Sequence, residues 1–259
     1  MEHKIGLVLS GGGVKGVAHI GALKALGEHG IFPSCIAGAS AGAMVGALYA
    51  SGKKPEEIFE IFKQSSLFSL SNFAIGKPGL IDLEKFKPYL QKHLPGDTFE
   101  ALKHKLYVSA TDLVRGRNKI FQSGPLVDTI LASSAFPLVF SPYKVGEGLY
   151  ADGGIVNNFP VEPLIDECDY IIGIYVNPLK NTEAAQLSNS IRVMERVYQI
   201  TTRYSSLLKF EDCNRIILPQ ELEQYGTFDM KKAQAIFELG YEVTKKNIKV
   251  ILDDLEQLT

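Results

Sequence analysis

The sequence predicts an α/β fold with a parallel βαβ unit at its start, on three observations. An apolar run over residues 5–10 ends in glycines, as a buried parallel strand does. A helical pattern over 17–29 follows, with Ile20, Leu23 and Leu26 at helical spacing and Gly30 placed to end it. A second apolar stretch, 31–37, then gives way to another helical pattern at 41–51. Strand, helix, strand, helix in that order argues a right-handed parallel start.

The remaining elements follow in order. The helix at 41–51 is built from small residues (Gly42, Ala43, Gly46, Ala47, Ala50), so it can sit very close to a sheet. Residues 55–64 read as a helix. Residues 65–82 read as a loop carrying Leu67, Phe68, Leu70, Phe73 and Ile75, with Lys77 as its one charge before Asp82. Residues 83–93 are expected to be helical, with Pro88 interrupting or kinking them. Strands are expected at 106–111 and 119–122, a helix at 125–135 with proline in its first turn, and a strand at 149–151. Residues 170–176 form an almost wholly apolar strand. Two long helical patterns, 189–209 and 230–258, flank a strand at 215–218. With no internal repeat and no linker composition, one domain is the simplest organisation.

Composition narrows the function. A chain of 259 residues suits one large α/β domain better than two small ones. A formal charge of −2 gives no electrostatic case for nucleic acid as a partner. No run of 18 apolar residues is present, so no transmembrane helix is expected, and residues 5–9 are too few for a signal-peptide core. Cys35, Cys168 and Cys213 are widely spaced, odd in number and without metal-ligand spacing. They read as reduced thiols of a cytoplasmic protein that holds no metal.

Chemistry is concentrated in three glycine-rich motifs. Gly38-Ala39-Ser40-Ala41-Gly42 matches G-x-S-x-G where a strand gives way to a helix, the setting of a nucleophile elbow. Gly38 and Gly42 leave room for the sharp turn. The best acid candidate is Asp152, in Asp152-Gly153-Gly154, and no histidine follows it. All five histidines (His3, His19, His29, His93, His104) precede residue 105, so the Ser–Asp–His order of an α/β-hydrolase is not available. His19, the one nearest a motif, reads as a core or surface residue. Asp112, at a strand end, reads equally as a turn residue or as part of the site's frame. If Ser40 is a nucleophile, a carboxylate must accept its proton in concert with attack, because a carboxylate of ordinary pKa near 4 is a weak base. Strong oxyanion stabilisation must then offset that weakness.

The third motif supplies it. Gly11, Gly13 and Gly16 satisfy G-x-G-x-x-G between a strand and a helix, but no acidic residue ends the second strand to bind a ribose, so a dinucleotide is not expected. A P-loop fails because Val17-Ala18 follow Gly16 where Lys-Ser/Thr is required. The run Gly11-Gly12-Gly13-Val14-Lys15-Gly16 instead suits an oxyanion hole. Its amides can converge unobstructed, the following helix aims its positive end at them, and Lys15 adds a charge. No cofactor is expected.

These motifs, with Ala132-Ser133-Ser134-Ala135-Phe136-Pro137 between serine and aspartate, resemble the patatin-like phospholipase family over about residues 5–177. The chain looks like the short bacterial members. Ser10 stands where many members have aspartate. The resemblance implies a three-layer α/β/α fold with a mostly parallel sheet. It also implies a Ser40/Asp152 dyad, an oxyanion hole from the glycine loop, and hydrolysis of lipid acyl esters through an acyl-serine. The partner expected is a lipid or acyl ester; residues 65–82 read equally as a shallow, transient contact with a membrane surface or as a loop that simply packs over the core. Residues 178–259 are expected to form a helical extension packed on the same domain. The competing expectation is a regulatory or lipid-binding protein that retains the dyad with little turnover.

Overall fold

Short apolar runs form the strands, and the longer helical patterns form the helices, in a computed structural model that describes residues 3–65, 82–94, 96–137, 139–227 and 230–258. The strands are β1 (Ile5–Leu9), β2 (Cys35–Ala39), β3 (Lys105–Asp112), β4 (Arg117–Phe121), β5 (Tyr143–Val145), β6 (Gly148–Asp152), β7 (Tyr170–Ile174) and β8 (Arg215–Ile217), in one eight-stranded sheet. Parallel pairing joins β3, β2, β1, β7 and β8 in that spatial order. β4 and β6 pair antiparallel with β3, and β5 pairs antiparallel with β6. The sheet is therefore mixed, with a parallel run and antiparallel strands gathered about β3. Every residue of β1, β2 and β7 is buried, as expected of strands covered on both faces.

The helices are α1 (Val17–Glu28), α2 (Ala41–Ala50), α3 (Pro55–Gln64), α4 (Lys87–His93), α5 (Leu126–Ser133), α6 (Gly154–Asn157), α7 (Glu162–Ile165), α8 (Ser190–Leu207) and α9 (Ala233–Gln257). Side chains alternate across β1, so Leu7 and Leu9 join the core under α1, α2, α5 and α9, while Val8 joins a separate cluster with Phe159, Leu164 and Tyr175. Two apolar clusters on opposite faces of one sheet make the three layers. α9 reaches α1 backbone to backbone. A Cβ at Gly21 would come within 2.0 Å of the Phe237 carbonyl, and one at Gly240 within 2.1 Å of the Ala18 carbonyl.

Several elements differ from expectation. β2 starts at Cys35 instead of residue 31, beyond Pro33, and runs on to Ala39, so Ser40 is the first residue past the strand. Pro88 kinks nothing. Residues 83–86 form a separate 3-10 turn, and Pro88 falls in the first turn of α4, where its missing N–H needs no partner. The strand expected at 149–151 is the second arm of the β5–β6 hairpin. α6 and α7, four residues each, are too short to leave a periodic signal. The apolar residues Leu67, Phe68, Leu70, Phe73 and Ile75 lie outside the described residues.

Candidate active site

Ser40 caps α2 at φ 52°, ψ −122°, and with Asp97 it has a positive φ among the described non-glycine residues. Such a conformation costs about 1–3 kcal/mol and persists only where the surroundings impose it. Here α2 crosses the end of β1 so closely that a Cβ at Gly42 would lie 2.2 Å from the Leu9 carbonyl. The Ser40 N–H donates to Ser133 Oγ at 2.8 Å, and that hydroxyl donates in turn to the Ser109 carbonyl at 2.6 Å. The turn is thus anchored from α5 and β3 together.

The sheet register brings Asp152 to Ser40. Ala39 pairs with Ser109 from β2, and Asp152 pairs with Ala110 from β6. β4 pairs with those same two β3 residues from the opposite edge, so β2 and β6 share one edge of β3. One is parallel to β3 and the other antiparallel, so their ends meet head to head. The Ser40 hydroxyl and the Asp152 carboxylate line one cavity, and the nearby hydroxyl favours the charged form of the carboxylate. Oδ1 of Asp152 accepts from the Gly154 N–H at 2.8 Å and from Tyr198 Oη at 2.9 Å. The backbone is held as well: Asp152 N–H donates to the Ala135 carbonyl, Gly153 N–H to the Ser133 carbonyl, and Thr111 Oγ1 to the Asp152 carbonyl. Asp152 is 1% exposed. Burial raises its pKa above the ordinary carboxylate value, against the nearby Ser40 hydroxyl and the hydrogen bonds from Gly154 and Tyr198. The result is a stronger base than a solvated aspartate. Burial, with Asp152 beside it, raises the Tyr198 pKa well above that of a free phenol, so Tyr198 stays a donor.

Within the glycine run the residues separate. Gly11 N–H donates to the Asn158 carbonyl, Val14 N–H to the Thr227 carbonyl and Lys15 N–H to the Gly12 carbonyl. Gly16 faces Ala41, at the start of α2. Gly12 and Gly13 line an apolar cavity over Ser40 and Asp152, walled by Met44, Phe62, Phe136 and Phe140, and their amides have no acceptor among the described residues. The Lys15 side chain lines a neighbouring cavity instead. His19 is buried, its Nε2 donating to the Ser10 carbonyl at 2.8 Å, and burial lowers its pKa to about 4. It braces the strand end that enters the glycine loop and is neutral at pH 7. Asp112 takes the turn role, its carboxylate accepting from the Val114 and Arg115 amides.

Three residues packed beside Ser40 and Asp152 have no assigned role in the sequence reading. Ser133 sat in a noted motif without a role. Asn158 follows the Asp-Gly-Gly turn; its side chain is buried against Gly11 and Gly154 with both polar atoms unpartnered among the described residues. Tyr198 comes from α8, beyond every motif, and its ring packs edge-on against Phe136 at 4.7 Å. No local signal marks it.

The family model described as patatin-like phospholipase matches residues 7–165, more than half of the chain. The chain belongs to the patatin-like phospholipase family. It is 32% identical over 216 residues to an uncharacterized NTE family protein of Mycobacterium tuberculosis, a match covering 79% of this chain and 60% of that protein. This patatin-like chain thus spans 60% of the length of that relative. It is 25% identical over 281 residues to the lysophospholipase NTE1 of Cryptococcus neoformans, covering 95% of this chain and 17% of that one. Among solved structures, VipD from Legionella pneumophila superposes with a TM-score of 0.56 at 18% identity, over 96% of this chain and 67% of VipD. Human GIVD cytosolic phospholipase A2, in complex with methyl gamma-linolenyl fluorophosphonate, gives 0.54 at 12% identity, over 99% of this chain and 59% of that one. These two structures share the patatin-like α/β fold of mixed sheet and flanking helices.

Proposed function

We propose that this chain is a serine acyl hydrolase of lipid esters, of the esterase, phospholipase A or lysophospholipase type. The observation that carries this reading is the strained Ser40 turn and the buried Asp152 carboxylate lining one apolar cavity. In the proposed cycle Ser40 Oγ attacks the ester carbonyl carbon while Asp152 takes the hydroxyl proton. The oxyanion rests on the Gly12 and Gly13 N–H groups, each such donor being worth about 3 kcal/mol in comparable sites. Collapse expels the alcohol, protonated by Asp152, and leaves an acyl-serine. Water attacks that ester, its proton passes to Asp152, and the fatty acid leaves as Ser40 is restored. Tyr198 and Gly154 hold Asp152 in place throughout. Gly11, Lys15 and Gly16 shape the loop without donating to the oxyanion, and Gly38, Gly42, Gly153 and Gly154 permit the two turns. In this reading residues 178–259 act with residues 5–177 as one catalytic unit, because Tyr198 belongs to the former.

Shallow contact with a lipid surface is part of the proposal. No helix among the described residues is long and apolar enough to cross a membrane. α8, which lines the cavity with Tyr198 and Thr202, turns Val193, Val197, Ile200 and Tyr204 outward to solvent. A fluorophosphonate probe tests the chemistry. Ser40→Ala should abolish both labelling and ester hydrolysis while the thermal midpoint stays within about 2 °C of wild type, as for a surface change under 0.5 kcal/mol. A lipid-binding protein with little turnover would leave the unmodified chain unlabelled.

A further inference from the structure

All three cysteines are free thiols, and all three join the apolar cluster on the face of the sheet opposite α1, α2 and α9. Cys35 opens β2, and Cys168 lies in the turn between α7 and β7, distant in sequence. Gly6 lets them meet. A Cβ at Gly6 would lie 2.8 Å from Cys168 Sγ and 3.2 Å from Cys168 Cβ, so this thiol fills the space that a side chain on β1 would take. The backbone holds it there: Cys168 N–H donates to the Leu164 carbonyl, and Asp169 N–H to the Lys4 carbonyl. Gly6 pairs with Cys35 across β1 and β2, and paired residues of parallel strands point to one face about 4.8 Å apart. Cys168 Sγ therefore stands about one strand spacing from the Cys35 side chain. A disulfide joins Cβ atoms about 3.5–4.5 Å apart, so a bond is within reach without moving a strand.

Each of these thiols is the largest influence on the ionisation of the other. Cys168 lowers the Cys35 pKa, helped by Lys4 and opposed by burial and the Glu167 charge. Cys35 raises that of Cys168, and burial adds to the rise. The pair thus gives up its first proton more readily than a free thiol and its second less readily. One thiolate beside one thiol is the arrangement from which a disulfide forms. Cys35 is 1% exposed and Cys168 is partly exposed, so a small oxidant reaches the pair from the Cys168 side and a protein-sized one does not reach Cys35. Cys213 differs. It sits over Gly173 on β7, and burial, with Asp212 beside it, raises its pKa to about 12, so it stays protonated.

We infer that Cys35 and Cys168 form a reversible oxidation site, converted by a small peroxide into a disulfide that ties β2 to the start of β7 across β1. The thiolate sulfur attacks one peroxide oxygen, the O–O bond breaks, and a sulfenic acid forms. The departing hydroxide takes up the proton lost from that thiol and leaves as water. The second sulfur then attacks the sulfenic sulfur as its own proton leaves; the S–S bond forms, the S–O bond breaks, and a second water departs. Two electrons pass from the sulfurs to the peroxide. A bond between residues 35 and 168 closes a loop of well over a hundred residues, the case in which a disulfide constrains the unfolded chain most. The site is independent of whether Ser40 is a nucleophile.

The test uses the full chain with Cys213→Ser, so that every thiol counted belongs to the pair. Hydrogen peroxide is added to the folded, reduced protein, thiols are counted in denaturant, and the peptides carrying Cys35 and Cys168 are weighed. Both thiols should disappear together, one cross-linked peptide lighter by two hydrogens should appear, and a dithiol reductant should restore both. The thermal midpoint should rise by about 5–10 °C on oxidation and return on reduction. Cys35→Ser and Cys168→Ser, each in the same background, should show no such rise. If Cys213→Ser disturbs folding, the unmodified chain gives the same reading with one thiol left over. A chain that keeps both thiols, gains oxygen at one cysteine without the cross-link, or joins only to a second copy overturns the inference. So does an unchanged midpoint in the cross-linked chain, or an equal rise in either single variant.

Discussion

Tyr198 and His19 show how single side chains set the chemistry of this site. In the proposed mechanism Asp152 must be ionised to take the serine proton, so activity is expected to fall as pH drops through its pKa, which burial raises. Tyr198 stabilises the charged carboxylate. Tyr198→Phe removes that donor and moves the Asp152 pKa further up. The acid limb of the kcat/KM profile should therefore shift to higher pH, with several-fold loss at neutrality. An unshifted limb would take Tyr198 out of the mechanism. His19 acts on stability instead. Its pKa is about 4 when folded against 6.5 for a free imidazole, so the unfolded chain binds the extra proton first. The stability His19 supports is present above pH 6.5 and is lost as pH falls toward 4, by about 3 kcal/mol. Thermal melts at pH 7 and pH 4.5 should differ less for His19→Gln, which keeps an amide near the Ser10 carbonyl but does not titrate.

At the scale of elements, β3 and the end of α5 assemble the site. β3 carries β2 and β6 end to end on one edge, which makes neighbours of residues 112 positions apart in sequence. The last turn of α5 ties the ends of both: Ser133 holds the Ser40 amide, and the Ser133 and Ala135 carbonyls take the amides of Gly153 and Asp152. Ser133→Ala leaves the Ser40 N–H without its acceptor and the strained turn without its brace. Stability should fall by about 1–3 kcal/mol, and kcat should fall more than KM rises. Ser133→Thr, which restores a hydroxyl, should recover part of both in denaturant melts and ester kinetics. No recovery alongside normal folding would mean that crowding at α5, and not the hydrogen bond, matters there.

For the molecule as a whole, α8 joins the interior to the surface. One face lines both cavities with Glu195 and Gln199, and the opposite face exposes Val193, Val197, Ile200 and Tyr204. In the proposed function this division lets the outer face of α8 meet a lipid surface while the inner face lines the substrate cavity. Replacing Val197 and Tyr204 together by aspartate should weaken co-sedimentation with phospholipid vesicles about tenfold or more, since charge replaces two apolar anchors. Hydrolysis of a short water-soluble ester should be unchanged. If the double variant binds vesicles as well as the parent, the contact lies elsewhere on the molecule.

Local sequence was sufficient for whatever depends on neighbours along the chain. An apolar run ended by glycine marked β1, a nearly continuous apolar run marked β7, small residues marked α2, and the G-x-S-x-G turn marked Ser40, because strand length, helix approach and a tight turn each require residue types within a few positions. Asp152 stood out as the acid candidate through the Asp-Gly-Gly turn that follows a short strand. Tertiary structure decided the rest. The choice of Gly12 and Gly13 as free amides depends on Asn158 and Thr227 engaging their neighbours from distant segments. The placement of Tyr198 on Asp152 depends on where α8 docks, and α8 has only amphipathic spacing to show for it. Lys15, a motif residue expected to add a charge at the oxyanion, lines the neighbouring cavity, where the Glu195 and Glu223 charges favour its ammonium and Lys180 opposes it. Backbone conformation is coded locally, whereas the electrostatic environment of a buried charge is summed over every element that packs around it.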